Sequence, residues 1–143
     1  MVVAPQVVRP GLPYAVSVNV LKSLEPDHIV RVEILNGKVL YAFKIYHVIR
    51  SGKLPLEVKA ESFILPTEIT HAVEKIARAA LIDIGSIEYV THRQTGDILF
   101  TDLRPHTNVF GITIEGLDID PVDQFANYIE RRYEKVREIA LAI

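Results

Sequence analysis

The sequence predicts an α+β domain: an antiparallel β-sheet built from hairpins, with helices packed on one face. Three observations predict it. Two β-rich runs meet at Asn36-Gly37, the strongest short-range signal for a two-residue hairpin turn. Two other segments, about Glu68 to Leu81 and Pro121 to about Ala140, carry apolar residues at helical spacing. The elements then alternate as hairpin, helix, hairpin, helix, an order that suits a sheet covered by helices. The totals agree, since 143 residues with 49% hydrophobic and 24% charged are ordinary for one domain with its own core.

Residues 1–13 contain Pro5, Pro10 and Pro13 and are expected to form an extended arm before a single domain over 14–143. Tyr14 to Val20 alternates as a strand does, and Ser23 to Asp27 is a polar connection containing Pro26. A regular hairpin from Ile29 to Ile45 would put Val30, Val32, Ile34, Val39, Tyr41, Phe43 and Ile45 on one apolar side. Arg31, Glu33 and Lys44 would share the opposite side, with Arg31 across from Ala42 and Lys44 a diagonal neighbour. Residues 50–66 hold Gly52, Pro55 and Pro66 and read as a loop with one short strand. The first helix is expected to be capped by Thr67 and to bury Ile69, Val73, Ile76, Ala77, Ala80 and Leu81. The last helix has Asp120 as its N-cap, Pro121 as its first residue and Asp123 placed for a capping box. Its expected buried side is Val122, Phe125, Ala126, Ile129, Tyr133, Val136 and Ala140.

The second hairpin, Ser86 to Asp102, carries the chemistry. Gln94-Thr95-Gly96 reads as a three-residue loop with Gly96 in the left-handed position, which sets Arg93 across from Asp97, Thr91 across from Leu99 and Glu88 across from Asp102. A two-residue Thr95-Gly96 turn would put Glu88 across from Leu103 instead. Facing carboxylates repel. Either one takes up a proton, or a cation such as Mg²⁺ sits between them, or Arg93 or Arg104 neutralises the pair.

Other functions find less support. A net charge of −2 leaves no basic excess to neutralise phosphates, so nucleic acid is not an expected partner. The absence of Cys excludes disulfides, thiolate metal sites and cysteine nucleophiles. No apolar run approaches the roughly 20 residues of a membrane span, and the first residues lack the basic head and apolar stretch of a signal peptide. A cytoplasmic location is the default expectation. The histidines show neither i,i+4 pairing nor an HExxH motif, so zinc is not expected. No GxSxG elbow and no Gly-rich phosphate loop occurs. The sign-alternating run from Glu130 to Glu138 reads as a solvated helix face.

From Ile29 to Asn108 the chain resembles the C-terminal half of an ATP-grasp domain, nearest in flavour to the RimK-like ligases. Three pieces carry the likeness. IVRVEILNGKVLYAFK looks like the family strand pair with an arginine near its start and a basic residue at its far end. AVEKIARAALIDIGSIEYV looks like the family helix leading into a strand with an acid, and GDILFTDLRPHTN like the tail motif of a strand-end acid and a Pro-containing turn. The resemblance implies ATP and Mg²⁺ as cofactors, with Glu88 and Asp102 at the metal positions. It implies Arg31 as the arginine on the transferring phosphate, Lys44 as a second phosphate contact and Asn108 as a turn residue near the acyl substrate. The implied reaction ligates a small carboxylate to an amine: ATP phosphorylates the carboxylate, and the amine attacks the acyl phosphate.

Two departures stand beside it. The family's third metal ligand is Asn, and Arg104 stands there; a guanidinium has no lone pair for Mg²⁺. Either one ion binds, or Arg104 takes a phosphate, or the site is defunct. In addition, only the proline-rich arm precedes Tyr14, and Ala15 to Val20 lacks the acid expected of the hinge strand. The isolated chain is therefore expected to be inactive unless an N-terminal half completes it. The alternative is a non-catalytic remnant that binds a partner or forms a homodimer through an exposed sheet edge.

Overall fold

The structure, a computed structural model, describes residues 27–48, 57–107 and 112–143. The expected arm, the strand at Tyr14 to Val20 and Asn108 lie outside them. Six strands form one sheet: β1 (Ile29–Leu35), β2 (Lys38–Val48), β3 (Glu57–Phe63), β4 (Ile84–Thr91), β5 (Ile98–Arg104) and β6 (Ile114–Glu115). The helices are α1 (Thr67–Ala79), between β3 and β4, and α2 (Pro121–Leu141), after β6. The strand order is β5-β4-β1-β2-β3-β6, antiparallel except for the β3/β6 pair at one edge. The predicted α+β class is the one observed.

Asn36 and Gly37 both have positive φ, 56° and 67°, as a two-residue primed turn requires. The hairpin is not regular beyond it. The pairs Ile34/Val39 and Glu33/Tyr41 leave Leu40 as an extra residue on β2. This bulge corrects the predicted faces. Arg31 lies across from Phe43 rather than Ala42, and Lys44 lies across from Val30. Because side chains alternate, one added residue moves Tyr41, Phe43 and Ile45 onto the Arg31 face and transfers Ala42 and Lys44 to the other.

Helix α1 covers the second face. Val30, Val32, Ile34, Ala42, Ile87 and Tyr89 of the sheet are buried in one cluster with Val73, Ala77 and Ile82. Glu74 ties the helix to the start of β2, accepting from Lys38 Nζ at 2.9 Å and from the Val39 amide at 3.3 Å. Thr67 is not the cap: Pro66 occupies that position without a side-chain bond, and the Thr70 hydroxyl donates to the Pro66 carbonyl at 3.2 Å. Leu81, expected in the apolar stripe, is 91% exposed because it takes the left-handed conformation (φ 56°) that ends the helix. Helix α2 has Asp120 as its N-cap, accepting from the Val122 amide at 2.9 Å, as predicted. Of its expected buried side only Phe125 is buried. Tyr128 and Arg132 instead anchor the helix to Asp83, at 3.1 and 3.2 Å.

Candidate functional site

On the face opposite α1, the sheet carries a row of charge. Glu88 and Asp102 are direct partners across β4 and β5, and Arg31 is the direct partner of Glu88 across β1 and β4. The carboxylates are neighbours by a different route from the one predicted. Near the turn the register is Thr91/Ile98 and Val90/Leu99, not Thr91/Leu99, and the loop closes through the His92 amide on the Asp97 carbonyl at 2.8 Å. Thr101 is then an extra residue between the Tyr89/Phe100 and Glu88/Asp102 pairs. The bulge shifts the register by one, so Phe100 packs with the helix-side core while Asp102 stands beside Glu88. Gly96 supplies the left-handed position (φ 77°), as expected. His92 Nδ1 closes the loop by accepting from the Gln94 and Thr95 amides at 3.3 and 3.2 Å.

The facing carboxylates are neutralised by arginine. Arg31 donates to Glu88 Oε1 through Nε at 2.7 Å and through Nη2, with both side chains about nine-tenths buried. Its guanidinium lies 5.9 Å from the centre of the Phe43 ring, a cation–π contact created by the bulge at Leu40. Arg104 donates from Nε to Asp102 Oδ2 at 2.5 Å, and its Nη2 lies 3.9 Å from Glu88 Oε1. Burial disfavours the charged form of Arg104, but the Asp102 hydrogen bond and the Glu88 and Asp102 charges hold its pKa above the usual value. Arg93, the other candidate, lies 4.0 Å from Asp27 instead.

Glu33 belongs to the same face and is only 1% exposed. The Thr107 hydroxyl donates to its Oε2 at 2.7 Å. Burial pushes its carboxyl pKa up, against the Thr107 bond and the Arg31 charge. The sequence reading placed Glu33 beside Arg31 but gave it no role. An acid alternating with Arg31 in a strand whose other residues are all apolar was the available signal. Gly85 was also missed. A Cβ there would collide with the Arg104 carbonyl, so glycine lets β5 approach β4 where Arg104 is set. Lys44 does not join the row. It lies on the helix-covered face, with Nζ 4.6 Å from the centre of the Phe63 ring. Alternation within a regular hairpin had joined Lys44 to Arg31, and the bulge separates them.

Two carboxylates on adjacent strands are hard oxygen donors suited to Mg²⁺. Here one oxygen of each is held by a guanidinium, and no set of three or more metal-ligating side chains occurs among the described residues. The pair fits a divalent ion only with Arg104 turned away from Asp102, because its charge would otherwise face the ion.

No protein-family model and no curated relative matches the chain. Solved structures do. The ATP-grasp ligase PsnB complexed with a minimal precursor superposes with a TM-score of 0.54 at 16% identity, over 65% of this chain and 31% of that one. The same ligase complexed with precursor, Mg and ADP gives 0.53 at 17% identity, over 64% and 29%. The fold is thus that of part of an ATP-grasp ligase. The chain spans about 31% of the ligase it matches.

Proposed function

We propose that these residues form the metal- and phosphate-binding portion of an ATP-grasp carboxylate–amine ligase of the RimK-like kind, completed by an N-terminal half that holds the nucleotide. The observation that carries this reading is the row Asp102, Arg104, Glu88, Arg31 on the face opposite α1. Phosphoryl transfer needs positive charge fixed where the phosphoryl oxygens gain negative charge. Arg31 is suited to that role because Glu88 and Phe43 hold its guanidinium in one place. Arg104 is the adjustable partner: less buried than Arg31, it can leave Asp102 for a phosphate. Glu88 and Asp102 would then hold Mg²⁺, which supplies charge neutralisation to the phosphates. Asn108 keeps its proposed place near the acyl substrate, while Lys44 has no part in this reading. The carboxylate and amine would be small molecules or a peptide carrying those groups.

A non-catalytic remnant is the second reading, favoured by Arg104 contacting both carboxylates. Calorimetric titration with ADP, with and without Mg²⁺, separates the two. The ligase reading expects weak, Mg²⁺-dependent ADP binding through the phosphates alone, weakened at least about tenfold in Asp102→Asn by the loss of one charge-assisted contact. Binding that ignores Mg²⁺ and the substitution would overturn it in favour of the remnant. The 143 residues alone are expected not to turn over ATP, because a phosphate not held by an N-terminal half is not fixed in line against Arg31. ADP release that scales with protein and vanishes in Asp102→Asn would contradict that.

A further inference from the structure

Helix α2 leaves an apolar seam in solvent. Val122, Ile129 and Val136 recur every seven residues, and Ala126, Tyr133 and Ala140 each follow by four. Alternating steps of three and four are the pattern by which one helix buries a stripe against another. The sheet does not supply that partner. Ile129, Tyr133 and Val136 are 59%, 67% and 62% exposed, and the Phe125, Tyr128 and Arg132 contacts lie roughly a quarter-turn around the helix.

The charges beside the seam distinguish the ways two copies of it could pair. One flank carries Asp123, Glu130 and Arg137, and the other carries Phe125, Arg132 and Ile139. A parallel pairing of two such helices would set Arg132 of each copy against Arg137 of the other, a repulsion made twice. An antiparallel pairing brings like flanks together, so Glu130 of each copy meets Arg137 of the other, an attraction made twice. In that register Tyr133 packs against Val136 of the second copy. We propose that α2 pairs with α2 of a second copy of this chain as an antiparallel two-helix coiled coil. The assembly is independent of any reaction at the carboxylates and uses no sheet edge.

Sedimentation of the intact chain over a wide concentration range tests it. Wild type should reach a dimer, and Ile129→Glu should be monomeric with unchanged far-UV circular dichroism, since its side chain makes no core contact. Glu130→Arg and Arg137→Glu should each weaken the dimer by about tenfold, converting two attractions into two repulsions, and the double exchange should restore it. A monomeric wild type, or a dimer that survives Ile129→Glu, overturns the proposal. A monomeric wild type that loses stability on Ile129→Glu points instead to a segment of the same chain covering the seam. Strengthening by Arg137→Glu, or failure of the double exchange, overturns the antiparallel pairing.

Discussion

On one face of the sheet, Val32, Ile34 and Ile87 lie under α1 with Val73 and Ala77, at most 1% exposed. On the other, Glu33 is 1% exposed and Arg31 and Glu88 are each 8% exposed, nearly as deep. The first face gains stability from removing apolar area from water, which needs no particular partner geometry. The second contains charges whose desolvation is offset only while each has its counter-charge. Burial alone therefore does not distinguish a core from a site. What distinguishes them is whether a neighbour can be lost without leaving a charge stranded.

Removing one member of the buried pair should show this most strongly. Glu88→Ala leaves Arg31 buried without its partner and should cost about 3–5 kcal/mol in urea unfolding, whereas replacing both together with apolar residues should recover most of it. A double variant as unstable as the single one would mean that the two faces do not differ in kind. On the apolar face, Ile34→Ala should cost about 2–5 kcal/mol through the cavity it leaves, with little dependence on salt or on pH above the carboxylate range. A strong salt dependence there would erase the contrast.

Glu33 sharpens the comparison through pH. Its folded pKa is raised above the ordinary 4.5, so the folded state holds its proton more tightly than the unfolded state. The associated stability is present below 4.5 and is lost as pH rises through the folded pKa. Glu33→Gln should therefore melt higher than wild type at neutral pH, and the difference should shrink toward pH 4. A difference that grows on acidification would show that its ion pairing, not its burial, governs the site.

The smallest effect is expected at Arg104, whose pair with Asp102 is about one-third exposed. Arg104→Asn should change stability by only about 0–1 kcal/mol, while raising Mg²⁺ affinity in calorimetry by removing a cation beside Glu88 and Asp102. Mg²⁺ binding no tighter in Arg104→Asn than in wild type would mean that Arg104 leaves the carboxylates at no cost when metal binds.

Legibility in the sequence followed the range of the forces involved. Asn36-Gly37, Gly96 and the Asp120-Pro121 helix start act through their own backbone, and each stands where the sequence put it. That Glu88 and Asp102 lie on adjoining strands was legible because one short loop joins them, whereas their facing each other depends on the bulge at Thr101. The Thr91 register was missed because the loop holds four residues, Arg93 to Gly96, rather than three, and Lys44 was misplaced because bulges such as those at Leu40 and Thr101 carry no local signal. They let Phe43 reach Arg31 and let Phe100 and Asp102 turn to opposite faces, demands set by neighbours distant in the chain.

Composition, turn chemistry and helical spacing by themselves determined the α+β class, the hairpins, both helices and the placing of Glu88 and Asp102 on adjoining strands. Tertiary structure alone decided that β4 pairs with β1, and so that Glu88 meets Arg31, 57 positions away in the chain. It also decided which flank of α2 rests against the domain and which stays in water. The physical reason is common to both. A turn is selected by the conformational energies of adjacent residues, but a strand neighbour or a buried helix face is selected by the whole sheet's need to cover its apolar area and pair every buried charge.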